Sequence, residues 1–204
     1  RSIHADLALA LCLDLCQLKE DLRLLVMSAT LDTQPLARLM GDVPVVAGSG
    51  LQHAVRIRYL ERSPHGRIDH VTANGIRRAM DEEHGDILAF LPGSGEIRQV
   101  QHLLDQELSG REVIITPLYG DLSQQQQDRA ILPDPGGRRR VILATSIAET
   151  SLTIEGVSCV VDSGWSRLPA FDPGTALSAL TTVRVSKAAA DQRAGRAGRL
   201  CPGS

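Results

Sequence analysis

The chain has 204 residues, 43% of them hydrophobic and 23% charged, which is enough apolar material for one or two globular domains. A formal net charge of −2 excludes a general polybasic surface, so any nucleic acid would need localised, positioned donors. Aromatics make up only 2%, so the core must come from Leu, Val, Ile and Ala, and no apolar stretch approaches the roughly 20 residues of a membrane-spanning helix.

Leu7, Leu11, Leu15 and Leu18 recur at helical spacing and predict an amphipathic helix over residues 4–19, feeding a strand over 23–27. Ser28, Ala29 and Thr30 follow that strand directly. Asp32 is placed to cap a short helix with Pro35 in its first turn, and Val43 to Val46 read as another strand. Gly48-Ser-Gly50 is flexible by composition and marks the expected boundary between residues 1–48 and 49–204.

After it the pattern restarts with alternating Val55, Ile57 and Tyr59. A helix over 67–83 is expected next, then an apolar strand over 87–91 and a helix carrying Ile97, Val100, Leu103, Leu104 and Leu108. A strand over 113–116, a Gln-rich helix opened by Ser123 and a strand over 141–144 complete the run. Short continuous apolar strands alternating with amphipathic helices are what a parallel sheet covered on both faces requires, so the fold class is α/β, doubly wound. Residues 166–185 depart from it: Pro169, Asp172-Pro-Gly174 and alternating Leu180, Val183 and Val185 predict an inserted antiparallel hairpin. Ser186 then caps a last helix from Lys187.

Several features read as structural. The four cysteines form no CxxC pair and are expected to be reduced packing residues of a cytoplasmic protein. The six histidines have no ligand-like spacing, so no metal site is expected on this chain. Arg138-Arg-Arg140, after Gly136-Gly137, reads as the decoration of a solvated turn. Ser28, Ser94 and Ser151 lack the GxSxG elbow of a hydrolase nucleophile.

Two segments carry the chemistry. In Gln192-Arg-Ala-Gly-Arg-Ala-Gly-Arg199 the arginines Arg193, Arg196 and Arg199 recur every third residue with small residues between them. That spacing is expected to project them near one edge, where guanidinium forks suit phosphate oxygens. The run from Ala144 to Gly156, with Thr145, Glu149, Ser151, Thr153 and Glu155, lies just past a strand, where the carboxyl end of a parallel sheet places its ligand. Its hydroxyls and carboxylates are too many for a strand end that binds nothing.

The first segment resembles motif VI of the DEAH-type superfamily 2 helicases, and the second resembles their motif V. Ser28-Ala-Thr30 resembles motif III, Phe90-Leu-Pro-Gly-Ser-Gly-Glu-Ile97 motif IV, and Pro117-Leu-Tyr-Gly-Asp-Leu122 motif IVa, all in the family's order. The wording of Ser2 to Leu7 is most similar to the bacterial HrpB-type branch. The resemblance implies RecA-like domains: residues 1–48 as the tail of the first, 49–204 as most of the second. It also implies ATP in the cleft between them and RNA across their top. Gln192, Arg196 and Arg199 would be catalytic, Ser151, Thr153 and Glu155 would contact ATP, and Ser28, Ala29 and Thr30 would be the coupling element of the first domain. Gly93, Ser94 and Thr145 would hold the RNA backbone, and the hairpin would act as a wedge between strands.

The chain departs from the pattern in carrying no GxxxxGK[ST] loop and no DExH box, so the Mg²⁺ ligands and phosphate cradle are expected in the missing first domain. By itself the chain is therefore expected to be inactive. Ser146 stands where the family has Asn, and Ile131 where eukaryotic relatives place an aromatic against adenine. Two alternatives remain open at the level of sequence, a non-catalytic helicase-like scaffold and a DNA translocase, because backbone-tracking motifs do not declare the sugar.

Overall fold

The structure is a computed structural model that describes residues 3–27, 33–48, 53–60, 65–108, 112–149, 153–199 and 201–204. Ser28, Ala29, Thr30, Asp32 and Ser151 lie outside the described residues. The chain divides into two compact units, Arg1–Gly50 and Leu51–Ser204.

The first unit contains α1 (Ile3–Leu18) and α2 (Thr33–Leu39). The strands expected over 23–27 and 43–46 do not form. Apolar sequence favours an extended chain, but a strand exists only when a neighbour supplies the other half of its ladder. Among the described residues of this unit there is none.

The second unit is built on four parallel strands: β1 (Asp86–Phe90), β2 (Val113–Leu118), β3 (Arg139–Ala144) and β4 (Val157–Asp162), in the order β2-β3-β1-β4. Helices α3 (Ile68–Glu82), α4 (Ser94–Leu108) and α5 (Gln124–Ile131) pack on the sheet. Alternation along β1 sorts the core into two layers. Ile87 and Ala89 meet Ile76 of α3 and Ile97, Val100 and Leu104 of α4 on one face. Leu88 and Phe90 meet Ala130 of α5, Ala148 and Ile154 on the other. Both faces being covered explains why the strands read as continuous apolar runs rather than alternating ones. Ser123 opens α5 with a capping box, its backbone N–H donating to Gln126 Oε1 over 3.1 Å.

Strand β4 was absent from the expected elements. Its signal was present in Val157, Cys159, Val160 and Val161, directly after a Gly156 turn at φ +86°. It is short and follows the polar run of motif V, so no periodicity announces it. Cys159 is buried in the core, whereas Cys201 is exposed and packs against little.

The hairpin forms as expected, from β5 (Trp165–Asp172) and β6 (Leu177–Arg184), paired antiparallel from Trp165↔Arg184 to Asp172↔Leu177. Asp172 makes the turn: its Oδ1 accepts from Gly174 N–H at 2.9 Å and its Oδ2 from Thr175 Oγ1 at 3.0 Å. Helix α6 (Lys187–Ala194) follows, capped by Ser186, whose Oγ accepts from Ala189 N–H at 3.2 Å.

The expected strand around Val55 to Tyr59 is reduced to one bridge, Val55↔Gly203. Residues 203–204 lie between it and β4, with Arg56 N–H donating to Gly203 O and Val160 N–H to Ser204 O. The approach is close enough that a Cβ on Gly198 would sit 2.7 Å from His53 O and 2.6 Å from Val55 Cγ2.

Candidate nucleotide and nucleic-acid interface

The carboxyl ends of the four strands align in one register row, Leu118↔Ala144↔Phe90↔Asp162. Everything that follows those four residues is thereby delivered to one edge of the sheet. Thr145 comes off β3, the Leu91-Pro-Gly-Ser94 turn off β1, Tyr119 off β2, and the root of the hairpin off β4. Backbone bonds tie them together: Leu91 N–H to Ala144 O at 2.8 Å, Thr145 N–H to Leu118 O at 3.2 Å, and Ser163 N–H to Phe90 O at 3.1 Å.

The arginines of the last segment do not share an edge. Helix α6 ends at Ala194, so Arg193 stands on its last turn while Arg196 and Arg199 follow it in a turn. Arg193 is fully buried, Arg196 is buried and Arg199 is exposed. Arg196 donates from Nη2 to the backbone oxygen of Glu149, and Arg199 from Nη1 to Thr153 Oγ1 at 2.9 Å. Both contacts join the turn after α6 to the 144–156 segment. Gln192, one residue before Arg193, is half-buried on α6.

Burial pushes the Arg196 guanidinium down to about 10, and the neighbouring Arg199 charge pushes it the same way, with Glu149 opposing. Arg196 remains a cation at neutral pH. Two guanidiniums held close enough to repel each other form a site that an anion relieves.

Within the 144–156 segment, a 3₁₀ turn over Ser146–Ala148 carries Ser146 exposed, with Glu149 N–H donating to Ser146 O at 3.0 Å. Ile154 anchors the segment in the core between exposed Thr153 and Glu155. The Glu155 carbonyl accepts from Arg140 Nη2, and the Ile131 carbonyl from Arg140 Nη1 at 3.4 Å. Arg140 thus brings the end of α5 and Glu155 together.

That arrangement corrects the reading of Arg138 to Arg140 as a solvated turn. Only Arg138 behaves so, paired with Asp134 in a 3.1 Å contact. Arg139 donates to the carbonyls of Met80 at 2.8 Å, Glu83 at 2.8 Å and Gly85 at 2.6 Å at the end of α3. Arg140, 2% exposed, meets Asp86 Oδ2 at 2.7 Å. The run enters β3 at Arg139, so side-chain alternation and burial override its hydrophilic composition.

Of the expected nucleic-acid contacts, Thr145 and Ser94 are half-buried on adjacent strand ends, whereas Gly93 is buried. Arg167 of β5 lies over Gly93 and donates from Nη2 to Glu96 Oε1 at 2.9 Å. Sequence reasoning missed Arg167 and Asp162, and did not foresee that Glu96 and Glu149 would hold buried or half-buried arginines. The findable signal was the arginine count of the last segment, because a buried arginine needs carboxylates to pair with.

Comparisons with known proteins show the family. Residues 66–201 match the family model described as the helicase conserved C-terminal domain. The whole chain is 52% identical to the ATP-dependent RNA helicase HrpB of Escherichia coli strain K12, of which it spans 25%. Crystal structures of the E. coli DExH-box NTPase HrpB and of the Escherichia coli DEAH/RHA helicase HrpB superpose with TM-scores of 0.88 at 51% identity. Both cover 100% of this chain, which spans 25% and 26% of theirs, about a quarter of each relative's length.

Proposed function

Since the chain belongs to the helicase conserved C-terminal domain family, we propose that it is the greater part of the second motor domain of an ATP-dependent RNA helicase, preceded by the tail of the first. The observation that carries the reading is the pairing of motif VI with motif V by Arg196 to Glu149 O and Arg199 to Thr153. It gathers two cations and a hydroxyl along the segment that runs from the carboxyl end of β3 to the start of β4.

In this reading Arg196 and Arg199 contact the phosphates of ATP, whose charge offsets the burial, and to a lesser degree the Arg199 charge, that depress Arg196. Gln192 orients the attacking water. Ser151 and Thr153 respond to the γ-phosphate, and Glu155 lies near the ribose. ATP supplies the phosphoryl group whose developing charge the two arginines stabilise, as arginine fingers do. The Mg²⁺ that accompanies ATP would be held in the first domain, because this chain carries no DExH box. Ser28, Ala29 and Thr30 would couple that domain to the nucleic acid.

RNA is held through its backbone by Ser94, Thr145 and the turn at Gly93. Donors at strand ends and a helix N-terminus suit phosphate without reading bases, which agrees with the near-neutral charge. The choice of RNA over DNA rests on the curated relative named as an ATP-dependent RNA helicase. No helix among the described residues is long and apolar enough to cross a membrane.

The test uses the full-length protein that contains this chain. Arg199→Ala should lower kcat for RNA-stimulated ATP hydrolysis about 10³-fold, in the range of arginine fingers, and leave RNA affinity nearly unchanged. An equal loss of RNA affinity would place Arg199 on the RNA path, and an unchanged kcat would turn the reading towards a binding scaffold.

A further inference from the structure

Arg193 has no part in the mechanism above, yet it is the most completely enclosed charge of the last segment, at 0% exposed. Its Nε donates to Glu149 Oε1 at 2.7 Å, and its Nη1 to Asp162 Oδ1 at 2.7 Å and to Trp165 O at 3.2 Å. Nη2 lies 2.6 Å from the same Glu149 oxygen, an ion-pair contact without a well-directed hydrogen bond. The guanidinium stacks over Phe90, 4.9 Å from the ring centre.

The partners belong to three different pieces of chain. Glu149 is in motif V, and its backbone oxygen is the acceptor for Arg196. Asp162 ends β4, and Trp165 is the first residue of the hairpin. Asp162 Oδ1 also accepts from Gly164 N–H at 2.8 Å, fixing the bend from which β5 departs. One rigid, planar fork therefore holds the phosphate-facing turn on one side and the root of the hairpin on the other. The guanidinium itself is shut off from solvent, and without it Glu149 and Asp162 would be left with no shared cation.

From this junction we infer that Arg193 is a positioning residue that couples the nucleotide edge to the hairpin, Glu149 forming its nucleotide arm and Asp162 with Trp165 O its hairpin arm. The inference rests on the helicase reading above. Any shift of Arg196 and Arg199 on engaging phosphate reaches Arg193 through the turn that follows α6, where Arg196 N–H donates to Arg193 O, and through Glu149, and passes from Arg193 to Asp162. Arg167, bonded to Glu96 on α4, gives the hairpin a second anchor, so the root turns about fixed points instead of drifting. A lysine at 193 would not serve, since a single ammonium cannot span both carboxylates as a fork does.

The experiment measures RNA-stimulated ATP turnover and base pairs unwound per ATP on one tailed RNA duplex, using the full-length protein. Asp162→Ala cuts only the hairpin arm, so kcat and KM for ATP should stay within about twofold while unwinding per ATP falls at least tenfold. Glu149→Gln weakens the nucleotide arm, and kcat should fall about tenfold with KM unchanged. Arg193→Lys should lose coupling as Asp162→Ala does. Should Asp162→Ala fail to fold, Asp162→Asn keeps an acceptor oxygen and removes only the charge, and a threefold or greater loss of coupling is expected there. Proportional loss of turnover and unwinding in the Asp162 variants, or unchanged coupling in them, makes Arg193 a structural residue only and overturns the inference. A wild-type protein with no RNA-stimulated turnover overturns the helicase reading itself, and this inference with it.

Discussion

Arg199 Nη1 donates to Thr153 Oγ1 across 2.9 Å, joining the last exposed arginine of motif VI to a hydroxyl 46 residues earlier in motif V. Neither side chain is buried, so the contact joins the two segments in solvent without sealing either side chain. Thr153→Val keeps the shape and removes the acceptor. In the full-length protein its kcat should fall about 3- to 10-fold, the worth of one ordinary hydrogen bond. The Thr153→Val, Arg199→Ala pair should be scarcely slower than Arg199→Ala alone, because residues in contact are not additive. Steady-state ATP turnover of the three variants checks both statements.

The hairpin makes a separate prediction. Replacing residues 170–180 by a short Gly/Ser turn leaves the pairs from Trp165↔Arg184 to Leu168↔Thr181, and with them the Arg167 and Arg193 anchors. RNA-stimulated hydrolysis in the full-length protein should persist, since it needs only the cleft and the backbone contacts. Duplex unwinding should fall sharply, because nothing then holds the second strand away at the junction. Unchanged unwinding by a folded, shortened hairpin would reject the wedge.

Arg140 bears on stability. Its guanidinium closes the amino end of the sheet, meeting Asp86 and the carbonyls of Leu132 and Glu155. Arg140→Leu strands Asp86, which is also half-enclosed by Gly156, and should cost about 3–5 kcal/mol. Adding Asp86→Leu should restore part of this but not all, as the two carbonyls lose their donor. Urea unfolding of the 204-residue chain gives the comparison.

Asp69 sets an acid limit. It opens α3, 4% exposed, accepting from Arg67 Nη2 at 2.6 Å and His70 N–H at 2.9 Å. Burial pushes its carboxyl up, but the Arg67 fork and the His70 N–H outweigh burial and hold it below the ordinary range. A depressed carboxyl stabilises the fold above its unfolded value, and that contribution disappears as the pH falls through the folded value. Asp69→Asn should therefore be less stable than wild type by about 1 kcal/mol at neutral pH. The two urea midpoints should converge as the pH drops below the ordinary aspartate range.

The sequence by itself determined the α/β class, the helices, the hairpin with its Asp172 turn, and the motifs in their order. These are local matters: periodicity, capping and turn chemistry act over a few residues and leave their mark in the spacing of Leu7 to Leu18, in Ser123 and Ser186, and in Asp172-Pro-Gly174. Only the tertiary structure decided which arginines face solvent. Arg193, Arg196 and Arg199 look equivalent in a run of small residues, yet one is sealed between Glu149 and Asp162, one is buried against the Glu149 carbonyl, and one is exposed and reaches Thr153. Arg138 and Arg140 divide in the same manner. A charge can be buried only where carboxylates and carbonyls from distant segments converge on it, and that convergence is set by strand register and helix phase over tens of residues, which no local pattern encodes.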